Sequence, residues 1–311
     1  MKNVTIHYKT LDAESINPEE IEKIESMSND VVYDYIEKFF IDATIEVPAD
    51  TEKALLYSNN IFAIDLEQFT KLPNLQRLDL GDNHIGKIDL SPLSECSELQ
   101  SLSLHNNALT QIDLTPLTHC LKLVDLSIDK NPCAEIDLTP LSQCFNLAYF
   151  NIQGTPLKEI DLSVFQTCTN FEALILTWNN LKHVDLTPLE NCPKFKSLWL
   201  DYNLLEEIDL TPLSYCSEFE ELFLNHNLLK YIDLSPLASC TKLKTLRLND
   251  NPFSNLDLRP LSACLDASVR ISTKKIEVPA EETLKIEVVE PEFPNAKAYL
   301  KMREGPESEE E

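Results

Sequence analysis

A 24-residue interval between cysteines is the feature that most constrains the fold of this chain. The sequence contains nine cysteines, and eight of them recur at this spacing: Cys96, Cys120, Cys144, Cys168, Cys192, Cys216, Cys240 and Cys264. The intervening residues recur in step as LxxLxLxxNxLxxIDL[ST]PLxxCxx, and a further unit precedes them with Leu72 in the cysteine position. Nine units therefore span residues 51–266. Because one such unit cannot bury its apolar residues alone, stacked units must share a continuous core.

Each unit contains two local signals. Apolar residues alternate at positions 4 and 6, as at Leu198 and Leu200, which predicts a short strand with one buried face. An asparagine follows in most units, where its amide can satisfy backbone groups of a turn. The later Ser or Thr before Pro predicts a hydroxyl N-cap and one turn of α- or 3₁₀-helix. Thr155, which replaces the asparagine of one unit, predicts a local irregularity there.

The LxxLxLxxNxL segments resemble those of the leucine-rich-repeat family, and the resemblance covers residues 51–266. It implies an α/β solenoid: a horseshoe with a parallel β-sheet on its concave face, short helical or 3₁₀ turns on its convex face, and capping elements at both ends. It also implies a non-enzymatic scaffold for binding proteins or peptides. The IDL[ST]PLxxC tail is nearest to the subclasses whose repeat ends in a Phe-x-x-Cys turn.

The flanking residues are expected to cover the ends of the solenoid. Residues 1–50 are expected to form a helical and strand cap: Asn17 caps a helix that runs to about Met27, apolar residues at helical spacing span 31–40, and TIEV at 44–47 is a strand joining the first coil. Residues 267–303 are expected to form a β-rich cap, with strands in KIEVP at 275–279 and TLKIEVVEP at 283–291. Residues 304–311 are expected to be a disordered acidic tail.

Two residue columns follow from the repeat. The cysteines of adjacent coils point the same way among leucines, so we expect free structural thiols, as in a reducing compartment, and not disulfides or metal ligands. Cys133, in an inward leucine position, is expected to be core as well. Position 15 is aspartate in all nine units. These carboxylates are expected to form Asx-turns, and the alternative is a ladder that shares Ca²⁺.

The charge excludes several classes of ligand. Lys and Arg number 26 against 52 Asp and Glu, giving a formal net charge of −26. Such a surface disfavours nucleic acid and anionic membranes as partners. The sequence has no apolar stretch of membrane-spanning length and no apparent signal peptide, so an intracellular, cytoplasmic protein is expected.

The candidate binding residues lie at positions 5 and 8 of three consecutive units, on the expected concave face. Position 5 contributes Ile175, Trp199 and Phe223, and position 8 contributes Trp178, Tyr202 and His226. Tyr149 and Asp201 extend this set of eight residues. Clustered aromatic residues dominate interface energetics, and an acidic rim favours basic groups. We therefore predict a protein or peptide partner with a hydrophobic anchor and basic flanks.

Two alternatives remain open at this stage. An acidic chaperone or inhibitor of basic proteins would resemble the acidic leucine-rich-repeat nuclear phosphoproteins, although their long acidic tails are absent. A metal-binding or catalytic surface around His105 would draw on Ser103, Asp82 and Asp129. An open sheet offers no water-excluding pocket, so no catalytic residue, metal ligand or cofactor is expected.

Overall fold

The computed structural model describes residues 3–12, 15–25, 27, 35–273, 276–277 and 284–289. Two compact units divide the chain, Met1–Pro156 and Leu157–Glu311. The division lies next to Thr155, whose hydroxyl donates to Ile152 O at 2.9 Å, as the asparagine amide does in other repeats. Within the described part of the chain, the helices are too short or too polar to span a bilayer. The expected acidic tail, 304–311, lies outside the described residues.

The first unit combines an antiparallel sheet with a parallel one. The antiparallel sheet has the order β2-β1-β4, from β1 (Asn3–Leu11), β2 (Phe40–Pro48) and β4 (Ala63–Ile64), and α1 (Pro18–Glu25) lies between β1 and β2 in sequence. The parallel sheet contains β3 (Lys53–Leu55), β5 (Arg77–Asp79), β6 (Ser101–Ser103), β7 (Asp125–Ser127) and β8 (Tyr149–Asn151). The 3₁₀ segments are Glu37–Phe39, Leu66–Lys71, Ser91–Glu95, Thr115–His119 and Thr139–Gln143.

The second unit continues the repeat. Its parallel sheet contains β9 (Ala173–Ile175), β10 (Ser197–Trp199), β11 (Glu221–Phe223), β12 (Thr245–Arg247), β14 (Ser268–Ile271) and β16 (Lys285–Val288), in that order. A separate parallel pair joins β13 (Leu256–Asp257) to β15 (Ile276–Glu277). The 3₁₀ segments are Ser163–Thr167, Thr187–Asn191, Thr211–Tyr215, Ser235–Ser239 and Arg259–Ala263. The predicted solenoid of parallel strands and short 3₁₀ turns is confirmed.

The core consists of the inward residues of each repeat. Leu198 and Leu200 at positions 4 and 6 are fully buried, and Leu198 pairs in register with Leu174 and Leu222 of the adjacent strands. In the second unit, position 1 adds a stack of three buried phenylalanines, Phe171, Phe195 and Phe219, and Phe165 of the preceding 3₁₀ segment extends the stack at the Phe171 end; neighbouring centroids are 4.3–5.9 Å apart. Burial of these repeated side chains is the main favourable term in folding.

The repeated asparagines connect neighbouring coils. The Asn203 amide nitrogen donates to Leu176 O of the preceding repeat at 2.9 Å and to Leu200 O of its own repeat at 3.1 Å. Its Oδ1 atom accepts from Leu181 N at 3.1 Å. One buried side chain therefore satisfies backbone groups of two coils, which holds the 24-residue register.

The aspartate column forms the expected turns, but the prediction of a Ser or Thr N-cap is wrong. Asp185 Oδ1 accepts from Thr187 N at 2.9 Å, and the same bond recurs at the other eight positions, from Asp65 to Asp257. Hydrogen bonds from the Thr187 hydroxyl and backbone N–H hold the pKa of Asp185 below its usual range. The carboxylate, two residues earlier, takes the N–H and orients the 3₁₀ turn, so the hydroxyl does not act as the cap.

The N-terminal strands differ from the prediction. Asn17 Oδ1 accepts from Glu20 N at 3.0 Å, so the helix cap is confirmed, although α1 ends at Glu25. Residues 44–47 form part of β2, which pairs with β1 and not with the first strand of the repeats. β1, which the sequence analysis did not identify, pairs with β4 of the first repeat. The helical spacing over 31–40 falls partly on residues outside the described set, and Glu37–Phe39 is 3₁₀.

The C-terminal strands agree with their sequence patterns. Both expected strands are present, as β15 and β16. β14 pairs Val269 with Leu246, an offset of 23 residues that keeps Val269 and Ile271 buried after one residue is lost from the repeat.

All nine cysteines are free and buried. Thiols donate to carbonyls of the preceding repeat: Cys216 Sγ lies 3.5 Å from Leu189 O, and Cys240 Sγ lies 3.3 Å from Leu213 O. Burial raises the pKa of Cys216 to about 12 and that of Cys240 to about 11. The column therefore consists of neutral thiols that link adjacent coils, as a structural role requires.

Native thiol reactivity tests this arrangement. Because the thiolate is the reactive form, these pKa values should slow labelling at mildly alkaline pH by about two to three orders of magnitude relative to a free cysteine. We expect Ellman's reagent to detect almost no thiol before denaturation and all nine afterwards. Several rapidly labelled thiols in the native protein would contradict the core assignment.

Replacing Asp185 by Ala should reduce stability. It removes the Asx-turn acceptor while relieving repulsion from Asp161 and Asp209, and exposure limits the net loss to about 0.5–1 kcal/mol. The loss should increase at high salt, where the repulsion is already screened. Because folding lowers the Asp185 pKa, its contribution is present above the unfolded pKa of about 4 and disappears as pH falls through the folded pKa. Urea unfolding measures each effect.

Asp185→Asn is the matched control, since it keeps the acceptor and removes the charge. Its stability should remain close to that of the wild type at neutral pH. An Ala variant more stable than the wild type at every salt concentration would contradict the role in the turn, and stabilisation of the wild type by millimolar Ca²⁺ would favour the cation ladder.

Candidate protein-interaction surface

Position 8 of every repeat adopts left-handed backbone geometry. The angle φ lies between 50° and 63° at each of these residues: Ser58, Asp82, Asn106, Lys130, Gly154, Trp178, Tyr202, His226 and Asp250. The position ends the strand and turns the chain toward the buried asparagine. Glycine, asparagine and aspartate tolerate this geometry, whereas large side chains adopt it at a cost of about 1 kcal/mol or more. Three consecutive repeats nevertheless carry large rings there.

These three rings form a stack in the second unit. Trp178 and Tyr202 have centroids 4.1 Å apart and planes tilted by 8°, and Tyr202 and His226 follow at 4.0 Å and 13°. Trp178 is 42% exposed, Tyr202 is half-buried, and His226 is buried. His226 Nε2 lies 3.5 Å from Asp250 Oδ2, so the stack ends at a carboxylate. We call these residues the position-8 row.

A second row comes from position 5 of the same repeats. Trp199 and Phe223 stack at 4.9 Å, and the Arg247 guanidinium lies 4.4 Å from the Phe223 centroid. Ile175 pairs in register with Trp199 on the other side. Trp199 Nε1 donates to Glu221 at 3.3 Å, and Ser197 Oγ donates to the same carboxylate oxygen at 3.1 Å. This position-5 row is therefore apolar along its length and ends at a cation.

The predicted site residues divide by exposure and by unit. Trp178, Trp199, Tyr202 and Ile175 retain solvent-accessible surface in the second unit, whereas Phe223 and His226 are buried and support their neighbours. Tyr149 lies on β8 of the first unit and is 45% exposed. We use the term ring surface for Ile175, Trp178, Trp199 and Tyr202 with their buried supports.

Asp201 supplies negative charge between the two rows. It occupies position 7, and its Oδ1 accepts from the Thr177 hydroxyl at 2.7 Å. Burial raises the pKa of this carboxyl, opposed by the Thr177 bond and by Arg247. The carboxylates of Asp201 and Glu221 place acceptors beside the aromatic rings.

A polar cavity of about 270 Å³ adjoins the end of both rows in the second unit. Its walls include Asp201, Asn225, Arg247, Asn249, Asp250 and Arg270. The sequence analysis missed this cavity, because its position depends on how β14 and β16 stack after the shortened repeat. It also missed the left-handed geometry of position 8, although Asp82, Asn106, Gly154 and Asp250 in that column were a usable signal.

The predicted alternative around His105 forms a hydrogen-bonded chain in the first unit. Ser103 Oγ lies 2.7 Å from His105 Nδ1, and His105 Nε2 lies 3.3 Å from Asp82 Oδ2. The Asp129 carboxylate instead accepts from Ser127 and, at 3.1 Å, from Asn151. Gly81 makes room for the imidazole, since a Cβ there would lie 2.0 Å from the ring.

The hydrogen-bonded series of Ser103, His105 and Asp82 has no oxyanion donor at the backbone N–H that follows Ser103. Ser103 lies within a paired strand, and the next backbone N–H, that of Leu104, donates to Ser127 O at 2.8 Å and cannot stabilise an oxyanion. Among the described residues, no group of three or more His, Cys, Asp and Glu side chains is placed to hold a metal ion.

Comparisons with known proteins agree with the fold. A family model for leucine-rich repeats matches residues 55–109 and 73–133, and a model for the BspA-type leucine-rich-repeat region matches 134–264 in six copies. No curated protein sequence matches the chain. Proteins of this family are generally protein-interaction scaffolds and are typically non-enzymatic.

Three solved structures are similar. The functional domain of InlJ from Listeria monocytogenes, which includes a cysteine ladder, is 25% identical with a TM-score of 0.55, over 79% of this chain and 57% of that one. Internalin C2 from Listeria monocytogenes is 23% identical with a TM-score of 0.54, over 67% of this chain and 85% of that one. A leucine-rich-repeat protein from Leptospira interrogans is 18% identical with a TM-score of 0.58, over 72% of this chain and 58% of that one. The chain thus spans less than two thirds of the first and third structures. Since the two family models together match residues 55–264, more than half of its length, this chain belongs to the leucine-rich-repeat family.

Proposed function

We propose that this protein is an interaction scaffold that binds a protein or peptide partner on the ring surface. The observation that carries the proposal is the occurrence of Trp178, Tyr202 and His226 at three consecutive left-handed positions. Each ring stands where asparagine or glycine would relieve backbone strain. Strain of this kind concentrates at functional sites, where another requirement keeps the residue.

The chemistry of the ring surface favours one kind of partner. The exposed Trp178 and the partly exposed Trp199 and Tyr202, in two adjacent rows, offer an apolar contact area, and aromatic residues dominate binding energetics at interfaces. Asp201 and Glu221 lie beside the rings, and the chain carries a net charge of −26. A partner with a hydrophobic anchor and basic flanks complements both features. Neither nucleic acid nor an anionic membrane does.

The nine free thiols support a reducing, intracellular site of action. Each donates or packs within the core, so none requires oxidation for folding. Fractionation of the producing cells, with the protein detected by antibody, tests this part of the proposal, and recovery only from the medium or cell surface would contradict it.

Selection of peptides on the purified protein tests the proposed partner chemistry. A random peptide library should yield sequences with an aromatic or large aliphatic anchor flanked by Lys or Arg, and their affinity should fall moderately with salt. Selected peptides that are acidic, or that lack an apolar anchor, would contradict the proposal. Binding to basic peptides that depends strongly on salt and is unaffected by ring substitutions would instead favour the acidic chaperone.

Trp199→Ala should weaken binding of the selected peptide by about 30-fold or more, because a central ring at an interface typically contributes at least about 2 kcal/mol. The lost stacking on Phe223 should also reduce stability by about 0.5–1.5 kcal/mol, so calorimetric titration must be performed well below the unfolding transition. Tyr231→Ala is the control, since this ring is 72% exposed away from the ring surface. Equal affinity for wild type and Trp199→Ala would refute the anchor role.

Trp178→Asn separates binding from folding. Asparagine tolerates left-handed backbone geometry better than tryptophan, which stabilises the variant, whereas loss of the ring stack with Tyr202 destabilises it. Because the two effects oppose each other, the free energy of unfolding should remain within about 1 kcal/mol of the wild type. Peptide affinity should nevertheless fall about tenfold or more. Lys130→Asn is the matched control, because Lys130 occupies the same position with φ of 55° and carries no ring. If both variants bind as well as wild type, Trp178 takes no part in docking.

A further inference from the structure

The cavity at the end of the two rows has two arginines in one wall. Arg247 on β12 and Arg270 on β14 are in-register partners on adjacent parallel strands. Like charges placed side by side on neighbouring strands repel. Arg247 lies over the Phe223 ring, and Arg270 is 3.5 Å from Glu287, a long and exposed ion pair. An anionic group held between the guanidinium groups would relieve this repulsion and could accept hydrogen bonds from both.

Two of the residues that line the same cavity, Asn225 and Asn249, have side-chain amide oxygens without a donor in the described part of the chain. Among the described residues, nothing donates a hydrogen bond to Asn225 Oδ1 or Asn249 Oδ1, and both side chains are more than nine-tenths buried. The Asn249 nitrogen donates to Asp250 Oδ2 at 2.7 Å, which fixes the orientation of that amide and leaves its oxygen as the unpaired atom. Buried acceptors without donors are costly, and a donor from outside the chain would remove that cost.

We propose that this cavity binds the zwitterionic head of a free α-amino acid, with its carboxylate toward Arg247 and Arg270 and its ammonium toward Asn225, Asn249 and Asp201. A single small ligand then supplies both the anion and the donor. The ammonium carries three N–H donors, and the number of proposed acceptors is the same: the amide oxygens of Asn225 and Asn249 and the carboxylate of Asp201. The volume of about 270 Å³ admits a molecule of this size and excludes a folded partner.

The charges of the cavity exclude simpler ligands. A metal cation or a basic side chain would meet the two arginines, and a phosphate or other polyanion would meet Asp201 and Asp250. A zwitterion places each charge against its complement. Because Tyr202 and His226 also line the cavity, a bound amino acid would lie beside the ring surface, but its binding does not require the proposed protein partner.

Thermal unfolding and calorimetric titration of the full chain test this site. The probes are the twenty free L-amino acids at millimolar concentration, followed by the N-acetyl and the α-amide derivative of the best one. At least one free amino acid should raise the melting temperature in a saturable way. Each derivative lacks one of the two charges, so it should bind about tenfold or more weakly.

Two variants locate the site. Asn225→Leu replaces the unpaired oxygen by an apolar group, so it should leave the ligand-free protein as stable or more stable while weakening amino-acid binding about tenfold or more. Arg270→Gln should weaken binding to a similar extent. Arg259→Gln is the matched control, since Arg259 also pairs with a glutamate, Glu277, at 2.8 Å but lies outside the cavity.

The outcomes are decisive in each direction. The proposal is overturned if no free amino acid shifts the melting temperature, if a derivative binds as tightly as the zwitterion, or if Arg259→Gln weakens binding as much as Arg270→Gln does. Peptide binding to the ring surface is measured separately, so either proposal can fail while the other stands.

Discussion

The asparagine amide that follows the strand in most repeats is the interaction on which the rest of the structure depends. Asn203 and its equivalents donate to carbonyls of two coils and accept from a third backbone group, so a repeat that carries this asparagine is hydrogen-bonded to its neighbour through one side chain. Without that amide, several buried backbone groups would lack partners. The leucines supply most of the favourable burial, but leucines alone do not define register. The amide does, and the thiol and aspartate columns follow from it.

The geometry that brings the asparagine inward also creates the candidate binding surface. Position 8 must adopt left-handed backbone geometry for the next residue to reach the core. That requirement presents the position-8 side chain on the open face of the sheet, beside the position-5 side chain of the same repeat. In most repeats the residue is small or polar, as at Ser58 and Asp250. Where it is Trp178 or Tyr202, backbone strain is accepted, and the compensating interactions include ring stacking at about 4 Å.

The two rows end in opposite charges. The position-5 row ends at Arg247 over Phe223, and the position-8 row ends at Asp250 beside His226. Repetition of one backbone unit therefore builds an apolar surface and, where the aromatic residues stop, a charged cavity. The scaffold contributes fixed spacing, and the variable positions contribute the chemistry, which is how a uniform solenoid obtains a specific face.

The sequence by itself determined the repeat, the parallel strands, the buried thiols and the Asx-turns at Asp185 and its equivalents, because each depends on contacts at a fixed 24-residue spacing. It also identified the aromatic residues of the two rows, since Trp178 and Trp199 occupy the same two positions of adjacent units. The tertiary structure alone decided which rings remain accessible, because exposure depends on how Phe223 and His226 stack against their neighbours. It alone decided the pairing of β1 with β2 and β4, and the cavity beside β14. These features join segments that share no period, so no spacing in the sequence could reveal them.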